Sequence, residues 1–252
     1  MAIRAIVFDL FDTLVDLSME SLPRTRVGGR EFPSTLEGLH RAATEGGMRP
    51  DLDLEEFAAA LLDIDRAHRK TRHAENREFP TIERFEILCD RLDLHAPGLP
   101  EALTQIHMKL LRGCASLPGH HPEVLRALRR RVPLALCSNF SHSETALAIL
   151  EDYGLAPHLD VVVISEDVGF RKPDASIFEI VLERLGVAPG EALHVGDNLD
   201  ADVGGASGAG MQTAWLTRRV RDPLGRLEAH DGKAPQYEIG DLGELAALVD
   251  AA

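Results

Sequence analysis

Four short stretches of this chain carry residues that can act on an anion. Asp9 ends an apolar run and is followed by Asp12 and Asp16, while Ser138 and Asn139 end LALCSN. Lys172 precedes Pro173 and Asp174, and Asp197 and Asp202 lie in HVGDNLDAD. Carboxylates brought together repel one another and rise in pKa unless a cation joins them. Asp9, Asp197 and Asp202 therefore imply a hard divalent ion held by oxygen, such as Mg²⁺. A hydroxyl, the N–H groups of a helix start and an ammonium would hold an oxyanion against that ion. A carboxylate nucleophile, a metal and an anion clamp describe phosphoryl transfer or a related displacement. Each residue alone admits a plainer reading: Ser138 and Asn139 as turn and cap residues, Lys172 as a solvated charge, and 197–202 as an acidic first helical turn.

The case for convergence rests on the elements that carry them. Ile3, Ala5, Ile6, Val7 and Phe8 form a short, nearly unbroken apolar run, the pattern of a strand covered on both faces. Further strands are expected at Pro133–Cys137, Val161–Ile164, Leu193–Val195 and Thr213–Leu216, with a weaker one near Tyr237. Helical patterns separate them. SETALAILEDYG has a capping box at Ser141 and Glu144 and a stop at Gly154; DASIFEIVLERLG starts at Asp174 and stops at Gly186. Alternating strands and helices imply a doubly wound α/β fold with a parallel sheet, and such sheets bind ligands at the C-terminal tips of their strands. All four stretches fall at those tips.

Residues 17–116 interrupt this pattern. The segment SLPRTRVGGREFPST, residues 21–35, carries Pro, Gly and Arg and reads as loop, followed by a short helix over 35–44. Asp53 and Glu56 begin a longer helix with Phe57, Leu61, Ile64 and Ala67 at helical spacing, and two more helices are expected over 81–92 and 100–112. The chain thus reads as an α/β core, 1–16 and 117–252, with an all-helical domain inserted after the first strand.

The order DxxxT from Asp9 to Thr13, Ser138-Asn139, Lys172-Pro173-Asp174, and GDxxxxD from Gly196 to Asp202 resembles the haloacid dehalogenase-like hydrolase superfamily. The helical insertion resembles its type-1 cap. The resemblance implies a Rossmann-like core, a covalent aspartyl intermediate and Mg²⁺ as cofactor. Asp9 resembles the nucleophile, Ser138, Asn139 and Lys172 the residues around the transferring anion, and Asp9, Asp197, Asp202 and the backbone carbonyl of Phe11 the metal ligands.

Phe11 departs from the phosphatase pattern, which places a second Asp there to protonate the leaving alkoxide and later to activate water. Losing such a group typically costs roughly 10²–10⁴-fold in rate. Asp12 points to the other side of an extended chain and does not replace it. The leading expectation is a Mg²⁺-dependent phosphatase that works without that Asp. A 2-haloacid dehalogenase, whose halide leaves without a proton and whose relatives carry an aromatic residue at this position, is the alternative; the GDxxxxD motif argues against it. A non-catalytic protein binding a phosphorylated ligand or a partner is the third.

The 252 residues, 44% hydrophobic and 27% charged, suit a soluble globular protein. A formal net charge of −14 argues against nucleic-acid and anionic-membrane partners. No stretch has membrane-spanning character, and the N-terminus lacks a signal-peptide pattern, so a cytoplasmic protein acting on a small anionic molecule is expected, as a monomer or homodimer. Cys89, Cys114 and Cys137 read as buried thiols. Arg66, Arg69, Lys70 and His73 read as a solvated helix face, and Arg24, Arg26 and Arg30 as loop residues able to grip an anion. His120 and His121 precede a helix start at Pro122 and read as a cap and hinge, since adjacent side chains diverge. His194 is expected to pack beside the sheet end.

Overall fold

The computed structural model describes residues 2–45 and 49–251. The chain divides into two compact units, 1–16 with 116–252 and 17–115. In chain order the strands are β1 (Ala5–Phe8), β2 (Asp16–Leu17), β3 (Arg24–Val27), β4 (Arg30–Pro33), β5 (Ala115–Ser116), β6 (Leu134–Ser138), β7 (Val161–Ile164), β8 (Ala192–Gly196), β9 (Gln212–Leu216) and β10 (Tyr237–Ile239). The chain passes between the units at β2 and β5.

In the larger unit, six parallel strands run in the order β10-β9-β8-β1-β6-β7. The order reverses at β1: β6 and β7 lie on one side of it and β8, β9 and β10 on the other. That reversal is the switch point at which doubly wound sheets hold ligands. β1, β6, β8 and β9 are buried at every residue, which explains why their sequences show apolar runs instead of alternation.

The inserted unit contains helices α1 (Leu36–Glu45), α2 (Leu54–Lys70), α3 (Thr81–Arg91) and α4 (Leu99–Arg112). Asp53 caps α2 by accepting from the Glu56 N–H at 2.7 Å, as its spacing predicts. Leu39, Phe57, Leu61, Phe85, Leu88 and Leu103 share its apolar core. The unit is mainly helical, but the expected loop over 21–35 contains a hairpin: Arg24 pairs with Pro33, Thr25 with Phe32 and Arg26 with Glu31. Gly28 and Gly29, both at positive φ (56° and 74°), make the tight turn that closes it. Arg24, Arg26 and Arg30 are exposed on this hairpin, and Arg66, Arg69 and Lys70 are exposed on α2.

The helices of the larger unit are α5 (His121–Arg129), α6 (Ser143–Asp152), α7 (Ser165–Val168), α8 (Ala175–Leu185), α9 (Gly205–Gly208), α10 (Pro223–Glu228) and α11 (Leu245–Ala251). Ile177, Phe178 and Val181 of α8 pack on Val7, Ala135, Cys137 and Val163 of the sheet. Asp174 caps α8, and Gly186 ends it at φ 67°. The cap of α6 is displaced by one residue from the expected Ser141: His142 takes the extended cap conformation, and its ring accepts from the Thr145 N–H. Among the described residues, no helix is long and apolar enough to cross a membrane.

Candidate active site

Asp9 is the first residue after β1, and its backbone N–H still donates to Val195 of β8 at 2.9 Å. The sheet ladder therefore holds the residue while its side chain lies at the strand tips. Lys172 is buried, and its ammonium donates to Oδ1 of Asp9 and Oδ1 of Asp202, each at 2.6 Å. Asp9, Asp197 and Asp202 bring one carboxylate oxygen each within 4.8 Å of one another. The fold thus unites three carboxylates separated by up to 193 positions (202 − 9) with one ammonium.

Their environments divide the protons. Burial raises Asp9 to about 6, a shift that the nearby Asp202 adds to and Lys172 opposes. Asp197 rises to about 7 through burial, with Asp9 and Asp202 adding repulsion. Burial opposes ionisation of Asp202 as well, but Lys172 and His194 overcome it and hold that carboxyl well below its usual range. Burial alone would lower Lys172, yet Asp202 and Asp9 together raise it. The ammonium is therefore permanent at neutral pH.

Asp202 sits in a π-helical segment, Leu199–Gly204, of the kind often found at functional sites. Asn198 starts this segment by accepting from the N–H groups of Asp200 and Ala201, at 3.0 and 2.9 Å. Oδ1 of Asp202 also receives a 2.9 Å hydrogen bond from His194, and Oδ2 one from the Asn198 N–H at 3.0 Å. The chain leaves room for this carboxylate by omitting a side chain at position 196. A Cβ built on Gly196 would stand 2.6 Å from the Cβ of Asp202.

The donor set fits a hard divalent ion. Two carboxyls with raised pKa values face one another, and Lys172 offsets the rise of Asp197 only in part; an oxygen-liganded cation would relieve both. Asp202 is the more fully engaged of the three, since Lys172, His194 and Asn198 already use both its oxygens.

Ser138 ends β6 next to β1, and its buried hydroxyl has no hydrogen-bond partner. A buried hydroxyl left unsatisfied at a strand tip is suited to an incoming oxyanion. Asn139, expected near the anion, is used differently. Its side-chain amide donates to the Lys172 carbonyl at 2.9 Å, and its carbonyl accepts from the Lys172 N–H at 2.7 Å. This reciprocal pair fixes the backbone from which the lysine reaches inward.

Phe11 pairs as an isolated bridge with Val15, and its ring packs on Phe140. Asp12 takes positive φ (57°), and its carboxylate lies 2.7 Å from Nε of Arg219. Arg218 pairs with Asp16. These two arginines were not apparent from the motifs, because they lie just beyond β9 and about 200 positions from their partners. His194 was also expected only to pack. It does pack edge-on against Phe178, at 5.2 Å between ring centroids, but it donates to Asp202 as well. Strand alternation could have suggested this, since 194 and 196 share the face over which Asp202 sits.

A groove of about 670 Å³ within the larger unit borders Asp197 and is lined in part by Arg219, Arg221, Arg226 and His230.

This chain matches a family model described as haloacid dehalogenase-like hydrolase over residues 3–210. The chain belongs to that family. This HAD-like hydrolase is 33% identical over 167 residues to pyrimidine 5'-nucleotidase YjjG of Escherichia coli, covering 66% of this chain and 69% of that one. It is 28% identical over 255 residues to 5-amino-6-(5-phospho-D-ribitylamino)uracil phosphatase YigB of Escherichia coli, covering 98% and 96%. The HAD-hydrolase YfnB of Bacillus subtilis, solved bound to magnesium, superposes with a TM-score of 0.60 at 24% identity over 99% of this HAD-like hydrolase and all of that chain.

Proposed function

We propose that the protein is a Mg²⁺-dependent phosphatase that hydrolyses a small, anionic, cytoplasmic phosphate ester through a covalent intermediate on Asp9. The observation that carries this reading is the single buried ammonium of Lys172 shared between Asp9 and Asp202, with Asp197 beside them. Such an arrangement aims one carboxylate and stabilises charge that develops on a transferring group. The nucleotidase name of one relative, the phosphatase name of another, and the magnesium in one solved relative support it.

Asp9, Asp197 and the Phe11 carbonyl, with Asp202 behind them, would hold the ion, which supplies positive charge against the phosphoryl oxygens. In the first step an Asp9 oxygen forms a bond to phosphorus as the bond to the leaving oxygen breaks. Ser138 and Lys172 donate to the equatorial oxygens. In the second step water attacks phosphorus, inorganic phosphate departs and the Asp9 carboxylate is restored. Phe11 can neither protonate the leaving oxygen nor accept the water's proton. The favoured substrates are then esters whose leaving oxygen is already a weak base, such as a phenolate or an enolate.

Phe11 itself favours a second reading, the 2-haloacid dehalogenase, because a halide needs no acid. A paired assay with and without Mg²⁺, on an aryl phosphate, alkyl phosphates and L-2-chloropropionate, separates the two. Mg²⁺-dependent phosphate release, fastest on the aryl ester and abolished in Asp9→Asn, is the expected result. Metal-independent halide release would replace it with the dehalogenase, and silence on every substrate would sink both.

A further inference from the structure

His120 and His121 do not diverge as adjacent residues of an extended chain would. They straddle the start of α5, His120 at its cap and His121 in its first turn, and the rings meet edge to face with centroids 4.8 Å apart. Asp241, 120 positions beyond His121 (241 − 121), joins them: Nε2 of His120 lies 2.8 and 3.0 Å from its two carboxylate oxygens. Among the described residues, His120, His121 and Asp241 form one of two groups whose ligand atoms lie within 4.8 Å of one another; the other is the site at Asp9.

The decisive detail is the tautomer of His121. Its Nδ1 lies 2.8 Å from the carbonyl of Leu14, which can only accept, so Nδ1 carries the proton. Nε2 is then a bare lone pair. It is buried and has no hydrogen-bond partner. A second-layer carbonyl that fixes one ring nitrogen and leaves the other free is the usual support of a metal-binding histidine. His120 is exposed and can admit an ion.

We propose that His120, His121 and Asp241 form a second cation site, selective for a borderline divalent transition ion such as Zn²⁺ or Cu²⁺. Two imidazoles and one carboxylate suit such ions, whereas the all-oxygen cluster at Asp9 suits Mg²⁺. The ion takes the place of the proton between His120 and Asp241, which moves to Nδ1 of a neutral His120 or to water from a charged one, and water completes the ion's shell. The N-terminus of α5 opposes a cation weakly, and the Asp241 carboxylate offsets that at the same place. Asp241 also starts the turn Leu242–Glu244 that precedes α11. Metal binding would therefore tie the C-terminal helix to α5 and, through the Leu14 carbonyl, to the loop that follows Asp9.

The test is Cu²⁺ titration of the full-length protein in excess Mg²⁺, read by electron paramagnetic resonance. Nitrogen ligands split the signal, and an all-oxygen site cannot. Expected is one tight Cu²⁺ with splitting from two nitrogens, displaced by Zn²⁺. His120→Ala should weaken it by roughly 10–100-fold or more, the scale of losses at metal sites, and leave Mg²⁺-supported hydrolysis unchanged. Asp241→Asn, which keeps an acceptor for the Gly243 N–H, is the second variant and should also weaken binding. A signal without nitrogen splitting, or splitting unchanged in both variants, overturns the assignment.

Discussion

The rings of Phe11 and Phe140 pack with centroids 4.9 Å apart and planes inclined at 58°, two residues from Asp9 and two from Ser138 respectively. Position 11 is thus committed to an apolar contact where proton transfer would require a carboxyl. The nearest alternative, Asp12, is paired with Arg219. Phe11→Asp should therefore raise kcat on alkyl phosphates by roughly 10²-fold, the low end of the usual worth of a positioned acid. Aryl esters should gain much less. Equal gains on both classes, or none in a folded variant, would show that protonation of the leaving group does not limit turnover.

Lys172→Met tests the shared ammonium. It removes the partner of two buried carboxylates while keeping most of the side-chain volume. Breaking one side of a buried ion pair typically costs about 3–5 kcal/mol. Urea unfolding with a chelator at pH 8 should show a loss on that scale, accompanied by a fall in kcat of about 10²-fold or more. A variant of unchanged stability would mean that Asp9 and Asp202 are neutralised by something other than this lysine.

The sheet and its strand tips were legible in the sequence because β1, β6, β8 and β9 are buried on both faces and read as uninterrupted apolar runs. Asp9, Lys172, Asp197 and Asp202 follow from that topology, since parallel strands place their C-terminal ends together. Contacts that depend on side-chain direction were not legible. Asn139 bonds the Lys172 backbone through a loop contact with no periodic signal, and for His194 strand alternation gives the face but not the Asp202 partner that the following π-helical segment brings over it. The hairpin over 24–33 was missed for another reason. Arginines and a proline obscured its alternation, although Gly28-Gly29 is a recognised turn signal. The helix start at His120 and His121 was legible from Pro122, but the meeting of their rings was not, because a helix start, unlike a strand, lets neighbouring rings approach.

Gly196→Ala tests whether the absence of a side chain positions Asp202. The added methyl meets buried atoms of Asp202, including its Cβ at 2.6 Å, in a strand buried on both faces. The Gly196 backbone cannot retreat without breaking the β8 ladder. Asp202 must shift and weaken its hold on Lys172. The expected outcome is a loss of activity of roughly 10²-fold, the scale set by misplacing a catalytic array by about 1 Å, with far-UV circular dichroism unchanged. Retained activity would show that Asp202 tolerates displacement and serves packing more than chemistry.

Asp197→Asn gives the pH signature of the metal cluster. Asp197 ionises at about 7 in the folded, metal-free chain, against 3.8 for its unperturbed carboxyl. A raised carboxyl pKa favours folding while protonated and disfavours it once ionised, so its stabilisation is present at low pH and lost as pH rises through 7. With chelator present, Asp197→Asn should therefore be more stable than wild type at pH 8, by about 2 kcal/mol after discounting for the partial exposure of this side chain. The difference should shrink through pH 6 and vanish below pH 4, where both chains carry a neutral group. Mg²⁺ should reverse the order at pH 8, because the ion stabilises the ionised wild-type carboxylate and gains less from an amide. Thermal melts of both proteins across this range, with and without Mg²⁺, read all three effects. A wild type that stays more stable at pH 8 in chelator would mean that Asp197 already has a cationic partner and that the carboxylates do not need a metal to neutralise them.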